Sequence, residues 1–281
     1  MSVIQIQGGR PLSGSVRIQG AKNSVLPLLA ATLLSRGTCV LRNCPKLTDV
    51  DHTIDILRSL GCRVEREGDV VTVDSSAPTG HTISEPLMRE MRSSVVFLGP
   101  ILGRMGRAVI SYPGGCELGP RPIDLHISAL RTLGASITER EGRLDCEGSL
   151  TGGEIVLSIP SVGATENAML SAVCAQGDTI LHNAAREPEI VELQSFLNAM
   201  GARVRGGGTS TVTIRGGLPL HGAEHTVGPD RIVAATYLSA LAASGGEGEL
   251  TGVDWRQLST VTAVLSEAGC TIRSGADQVW L

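Results

Sequence analysis

One short pattern occurs four times in this 281-residue chain and restricts its fold more than any other feature. It reads Ser59-Leu60-Gly61-Cys62-Arg63-Val64, then Thr132-Leu133-Gly134-Ala135-Ser136-Ile137, then Ala199-Met200-Gly201-Ala202-Arg203-Val204, and finally Glu267-Ala268-Gly269-Cys270-Thr271-Ile272. The glycines are 73, 67 and 68 residues apart. The first and third copies align without gaps over a longer stretch: Gly37, Asn43 and Gly61 correspond to Gly177, Asn183 and Gly201, each at an offset of 140. Recurrence at a fixed interval marks a supersecondary unit repeated along the chain. This period is too long for a common solenoid.

The first copy shows what the unit contains. Residues 3–7 and 15–19 alternate apolar and polar side chains and predict two short strands around Gly-Gly and Pro turns. Ser24 to Leu34 is an apolar helix, in which Pro27 is tolerable only near the first turn, and Gly37 should end it. Thr38 to Arg42 reads as a strand. Asp49 should cap a second helix, with Val50, Ile54, Leu57 and Gly61 at helical spacing. Cys62–Glu65 and Asp69–Val73 then form a hairpin around Glu67-Gly68. Each unit is therefore helix, strand, helix, hairpin. One of its two helices is apolar on most faces and belongs inside, under sheets. The predicted architecture is α/β, with repeated βαβαββ units forming a layered prism whose buried helices make it inside-out.

Aromatic residues are only 2% of the chain, so the core must be aliphatic, and a nucleic-acid reader built on base stacking is disfavoured. The net charge of -4 gives no general attraction to nucleic acid or to anionic membranes. Any anion site must come from a local cluster. The seven cysteines are odd in number and lack paired spacing. Cys39, Cys62, Cys146 and Cys270 fall in strand-like runs, Cys174 in a helix-like run, and Cys44 before a proline. They read as packed thiols of a reducing compartment, with no grouping that suggests a metal. With no signal-like N-terminus and no apolar run long enough to span a bilayer, a cytoplasmic location is expected.

The candidate chemistry lies at helix starts and in one loop. Apolar helices open after Gly20-Ala21-Lys22-Asn23, after Ser161-Val162-Gly163-Ala164-Thr165, and after Gly228-Pro229-Asp230-Arg231. Small residues there leave amide groups directed outward, which suits an anion. Lys22 is a cation where the helix dipole disfavours one by about 0.3–1 kcal/mol, unless a phosphate or carboxylate arrives. The alternative is a solvated surface lysine. Arg92, before an apolar helix, and Arg121 are further cations suited to bidentate grip of carboxylate or phosphate, provided they converge rather than lie on separate surfaces. Tyr112 to Pro122 holds three Gly and three Pro, so it is neither helix nor central strand. Cys116 sits in its middle, five residues before Arg121, where a nearby cation favours the thiolate; the alternative is a small buried hydrophobe. Asp124 and His126 are polar ligands, or a helix cap and a hydrogen-bonded histidine, with the cap favoured. Glu187 and Glu189 favour a helix start.

Taken together, Gly20-Ala21-Lys22-Asn23, Arg92, Pro113 to His126, Pro160 to Thr165 and Asn183 to Val191 resemble the UDP-N-acetylglucosamine 1-carboxyvinyltransferase family of enolpyruvyl transferases. The resemblance runs over the whole chain, and the cysteine loop is its most specific part. The sister 5-enolpyruvylshikimate-3-phosphate synthases share the fold, carry Ser-Lys-Ser in place of Ala21-Lys22-Asn23, and lack this loop.

The resemblance implies two domains of three units each, of which four units are present. Residues 22–229 would form one complete domain, and residues 1–21 with 230–281 part of another. It implies transfer of enolpyruvyl from phosphoenolpyruvate to the 3-hydroxyl of UDP-N-acetylglucosamine with release of phosphate, as the opening step of peptidoglycan synthesis, without metal or cofactor. Lys22, Arg92 and Arg121 would grip phosphoenolpyruvate or adjacent phosphates, and Asn23 would contact substrate. Cys116 would protonate the enol methylene and be the site of alkylation by fosfomycin. Arg121, Pro122, Ile123, Asp124 and Leu125, with Ser161, Val162 and Gly163, would hold the nucleotide. No nucleic-acid or membrane partner is implied, and oligomeric state is open.

Two departures stand out. Some members place a lysine just before Ser-Val-Gly, where this chain has Ile159-Pro160. The chain also stops at Trp280-Leu281, before two further units that carry an aspartate base and more arginines in the family. A truncated chain is therefore expected, with two alternatives: a non-catalytic remnant that binds nucleotide sugar, or a related transferase with another acceptor.

Overall fold

The computed structural model describes residues 3–5, 7–114 and 122–281. The chain divides into two compact units, residues 22–227, and residues 1–21 together with 228–281.

The chain enters through β1 (Ser13–Arg17) of the smaller unit. The larger unit begins with α1 (Lys22–Thr32), β2 (Thr38–Arg42), α2 (Thr48–Ser59), β3 (Arg63–Glu67) and β4 (Val70–Asp74). It continues through α3 (Glu85–Glu90), a 3-10 segment (Arg92–Phe97) that runs into α4 (Leu98–Met105), β5 (Arg107–Ser111), α5 (Asp124–Thr132), β6 (Ser136–Arg140) and β7 (Arg143–Glu147). Then come β8 (Glu154–Val156), α6 (Val162–Ala172), β9 (Asp178–His182), α7 (Pro188–Ala199), β10 (Arg203–Arg205), β11 (Thr211–Arg215) and β12 (Glu224–Thr226). The smaller unit resumes with α8 (Arg231–Ser244), β13 (Glu247–Thr251), a 3-10 turn (Trp255–Leu258), α9 (Ser259–Glu267), β14 (Arg273–Ser274) and β15 (Gln278–Trp280).

The repeat is visible in the strand pairing. Among the described residues the sheets run β12-β2-β4-β3, β5-β7-β6, β8-β9-β11-β10 and β1-β13-β15-β14. In three of them a parallel pair is followed by two antiparallel ones: His225 faces Leu41, Leu41 faces Val71, and the hairpin closes on Glu67 and Val70. In the sheet of β5 the parallel position is taken by a single bridge, Thr82 to Val109. All four repeated glycines have positive φ, between +94° and +101°, which a side chain resists. Each ends its helix with the same two hydrogen bonds. Gly61 N–H donates to Arg58 O and Cys62 N–H to Leu57 O, and the pairs recur at 134/135, 201/202 and 269/270. Asn43 and Asn183 also match: both have positive φ, and each donates Nδ2 to a carbonyl, Val227 O and Leu157 O.

Nine of the eleven residues of α1 are buried, and nine of eleven in α6, which puts both helices inside the larger unit. Leu28 and Leu29 are fully buried; each such leucine contributes about 2 kcal/mol of transfer free energy. In α2 the buried residues Val50, Thr53, Ile54, Ile56 and Leu57 form a stripe, as befits a helix with one solvent face. The segment from Arg92 to Met105 completes the inner layer. On α4, Gly99 meets Asn167 and Ser171 of α6, and Gly103 meets Cys174, so these helices approach closely where side chains would collide. The smaller unit differs: α8 buries only Ala234, Leu238 and Leu241, while Ile232 and Tyr237 are 48% and 42% exposed.

Several local expectations are corrected. Residues 3–5 and 7 form no strand, since alternation supplies a period but not a partner edge, and the second expected strand occupies 13–17 rather than 15–19. Pro27 is the sixth residue of α1, not part of its first turn. Lacking an N–H, it withholds the helical hydrogen bond from the Asn23 carbonyl. Asp49 does not cap α2; Leu47 holds that position, without a side-chain bond. The first hairpin turns at Gly68-Asp69, one residue later than expected. Cys39, Cys44, Cys62 and Cys146 are buried, but Cys174 and Cys270 are half-buried, and Cys62 and Cys270 lie outside any strand.

Candidate active site

Within residues 22–227, a cleft of about 570 Å³ opens where the starts of the inner helices meet. Lys22 and Asn23 reach it as the first residues of α1, Arg92 from the start of its 3-10 segment, and Ser161, Val162 and Gly163 from the start of α6. Pro122 and His126 also line it. The unit repeat explains the convergence. Inner helices that enter the layered core in the same direction present their N-termini at one end.

Lys22 has a counter-charge there. Its Nζ lies 3.0 Å from Asp49 Oδ2, on the second residue of α2. Arg92 is half-buried and donates Nη2 to Pro122 O at 3.4 Å. Ser161 caps α6, its Oγ accepting from Ala164 N–H at 3.4 Å, while helix geometry leaves the amides of Val162 and Gly163 without intrahelical acceptors. The third expected anion site does not exist as such. At the start of α8 the Asp230 carboxylate already accepts from the Ile232 and Val233 amides.

His126 is buried against this site. A side chain at Gly163 would come within 3.3 Å of its Cε1 and 3.5 Å of its Nε2. Asn167, on the buried face of α6, holds the other ring nitrogen at 3.1 Å. Burial first, and then the Arg92 charge, push the His126 imidazole down to about 4, so the ring is neutral at physiological pH. Glu166, also in the cleft wall, is buried; burial and then the nearby Glu189 and Glu187 carboxylates raise it well above the usual carboxylate range. The cleft thus combines the Lys22 and Arg92 cations, helix amides, a neutral imidazole, a buried carboxylic acid and the Asp49 and Glu90 carboxylates; its cations and amides are the groups suited to a small, polar, anionic ligand.

Lys22, Asn23, Arg92, Pro122, Ser161, Val162 and Gly163, all candidates from the sequence, line this one cleft. Ile123 is buried beneath the site, Asp124 is exposed as the first residue of α5, and Leu125 packs against the core; none of the three lines the cleft. The cap reading of Asp124 is corrected, because Ile123 holds the cap position without a side-chain bond. Glu187 does hold the cap position of α7, and Glu189 lies in its first turn. Cys116 and Arg121 lie outside the described residues. Sequence reasoning missed Asp49 as the partner of Lys22, along with Glu166 and Asn167. The one available signal was the polar run Thr165-Glu166-Asn167 inside an apolar helix. Among the described residues no group of His, Cys, Asp and Glu could hold a metal ion, and no helix is long and apolar enough to cross a membrane.

Repeated α/β units, with the inner helices of residues 22–227 starting at one cleft lined by Lys22 and Arg92, are features of an enolpyruvyl transferase type of protein. The family described as EPSP synthase (3-phosphoshikimate 1-carboxyvinyltransferase) matches residues 6–280, and the chain belongs to this family of carboxyvinyltransferases. It is 48% identical over 280 residues to UDP-N-acetylglucosamine 1-carboxyvinyltransferase 2 of Caldanaerobacter subterraneus subsp. tengcongensis, covering 99% of this chain and 67% of the relative. It is 50% identical over 275 residues to UDP-N-acetylglucosamine 1-carboxyvinyltransferase 1 of Symbiobacterium thermophilum, covering 95% of this chain and 62% of the relative. The crystal structure of the enolpyruvyl transferase NikO from Streptomyces tendae superposes with a TM-score of 0.86 at 25% identity, covering 98% of this chain and 66% of that one. The chain thus spans about two thirds of the length of the relatives it matches.

Proposed function

We propose that this chain carries the substrate cleft of a UDP-N-acetylglucosamine 1-carboxyvinyltransferase, which moves enolpyruvyl from phosphoenolpyruvate to the sugar 3-hydroxyl and releases phosphate. The observation that carries this reading is the convergence of Lys22, Arg92 and the α6 start on one cleft, in a chain about half identical to relatives of that name. Two anionic substrates must be held together, and the cleft offers two kinds of anion donor. The cations Lys22 and Arg92, and by the family resemblance Arg121, suit the phosphate and carboxylate of phosphoenolpyruvate. The Val162 and Gly163 amides, with a neutral His126 beside them, suit the diphosphate of the nucleotide. Asn23 is placed to orient the sugar.

In this reading Cys116 protonates the methylene carbon of phosphoenolpyruvate. The adjacent carbon becomes electrophilic and the sugar hydroxyl oxygen adds to it. The hydroxyl proton passes to water, the carbon–oxygen bond to phosphate breaks, and a methyl proton returns to the Cys116 thiolate, which leaves the enolpyruvyl ether on the sugar. Fixed cations around the transferring group stabilise the charge that develops on the departing phosphate. In this reading the compact unit of residues 22–227, two residues shorter than the expected 22–229, is the three-unit domain with the cysteine loop, and residues 1–21 with 228–281 belong to a second. The reaction opens peptidoglycan synthesis in the cytoplasm and is open to inhibition by fosfomycin.

The test is phosphate release by the purified chain supplied with phosphoenolpyruvate, with and without UDP-N-acetylglucosamine. Release that depends on the sugar nucleotide supports the reading. A folded chain that releases none overturns catalysis by these residues alone, and retained affinity for UDP-N-acetylglucosamine would then leave a nucleotide-sugar-binding chain.

A further inference from the structure

The helix segments whose starts form the cleft also share a second cavity, at their other ends. It measures about 380 Å³ and lies beyond the ends of α1, α4 and α6, where Arg36, Arg104, Cys174 and Gln176 face the loop 217–220. Among the described residues no acidic side chain lines it. Arg104, in the last turn of α4, is half-buried and donates Nη2 to Ser75 O at 3.2 Å. Arg36, four residues past the end of α1, is exposed, and its guanidinium forms no ion pair among the described residues.

The arrangement differs from that of the arginines that stand beside carboxylates in this chain. Arg63, Arg66, Arg89, Arg107 and Arg256 each meet a carboxylate within 2.9 Å. At the second cavity the neighbour of one arginine is the other. Burial, and then the Arg36 charge, lower Arg104 below the usual guanidinium range. The α4 C-terminus offsets part of the Arg104 charge, since Arg104 stands in its last turn, whereas Arg36 lies four residues past the end of α1, at the limit of that effect. Ser75 belongs to no helix, and the Arg36 side chain donates to none of the carbonyls there. Two forked cations facing one cavity are geometrically suited to the oxygens of a tetrahedral anion. The Gln176 amide, packed against Gly217, adds a neutral donor.

From this geometry we propose that the Arg36–Arg104 cavity binds a small tetrahedral oxyanion, either inorganic phosphate or the phosphate of a small monoester. The inference stands apart from the proposed reaction, since it uses no residue of the cleft. Because Lys22, Arg92 and Ser161 begin the segments that end at this cavity, its occupant would brace the scaffold of the cleft from the far side.

Calorimetric titration and thermal unfolding of the full chain, at constant ionic strength, test the proposal. The probes are sodium phosphate and glycerol 3-phosphate, with chloride as control. Lys22→Gln combined with Arg92→Gln removes the described cations of the cleft and should leave one phosphate-binding event intact. Arg36→Gln, at an exposed position that should not affect folding, should weaken that event at least tenfold, and Arg36→Lys should retain part of it. Binding of phosphate alone, or of the ester as well, identifies the source. Unchanged phosphate affinity in Arg36→Gln overturns the proposal, as does a thermal shift that chloride reproduces.

Discussion

Asn167 Nδ2 stands 3.1 Å from His126 Nδ1, and this contact decides which ring nitrogen carries the proton. The Asn167 amide has no freedom to flip. Its Oδ1 accepts from Gly99 N–H at 2.8 Å, so Nδ2 must be the atom that donates to Val95 O at 3.0 Å and to His126. Nδ1 of the imidazole is therefore an acceptor, and the proton of the neutral ring sits on Nε2, the nitrogen beside Gly163 in the cleft.

A pH dependence of stability follows. The His126 ring is lowered from 6.5 to about 4 on folding, mainly by burial and then by Arg92. Below about pH 6.5 the unfolded chain takes up this proton and the folded chain does not. Stability therefore falls as pH drops through that window, by up to about 3 kcal/mol from this one group. Urea unfolding at pH 7.5 and pH 4.5 should show a smaller difference between the two pH values in His126→Gln than in the parent chain. Equal differences would mean that the ring is not held neutral.

Glu166 acts in the opposite direction. Its carboxyl is raised by burial and then by Glu189 and Glu187, so the folded state holds a proton that the unfolded state releases. The stability it contributes is present at low pH and is lost as pH rises through the folded value. Glu166→Gln, a neutral mimic of the protonated form, should unfold a few degrees higher than the parent at pH 8 and close to it at pH 5. A destabilised Gln variant at pH 8 would show that the ionised carboxylate is required.

Gly99→Ala should couple core packing to the site. A methyl group there would overlap Asn167 and Ser171 of α6. Forcing these helices apart should cost about 1–3 kcal/mol and loosen the amide that orients His126. We expect a lower unfolding midpoint together with weaker UDP-N-acetylglucosamine binding. Gly106→Ala is the control for stability alone, because its site is open and its φ is +73°. If Gly99→Ala loses stability but binds the nucleotide sugar normally, Asn167 does not position the ring.

Cys116→Ser should abolish the adduct formed with phosphoenolpyruvate or fosfomycin. Mass spectrometry of the peptide spanning residues 112–122 gives the answer directly. Modification of that peptide in the serine variant would remove Cys116 from its proposed role.

The repeat was legible because it rests on local chemistry. A glycine that alone tolerates positive φ must stand at each helix end, so Gly61, Gly134, Gly201 and Gly269 announce four equivalent units without reference to one another. Thr38–Arg42 was readable as a strand for the same reason: alternation puts Cys39 and Leu41 on one face. Lys22, Arg92 and Ser161–Gly163 were recognisable as helix-start residues, each from its own neighbourhood. That they share one cleft is a consequence of how the units pack. The partner of Lys22 is Asp49, 27 residues away, and the partner of His126 is Asn167, 41 residues away. Such pairs carry no local signal, because an aspartate in a first helical turn and an asparagine within an apolar helix each have an ordinary local explanation. The amino-acid sequence by itself determined the period, the helix ends and the residues that can meet an anion. Only the tertiary structure decided which charges face each other, which nitrogen of His126 bears the proton and which carboxyl is buried, because those properties arise from groups distant in the chain brought together where water is excluded.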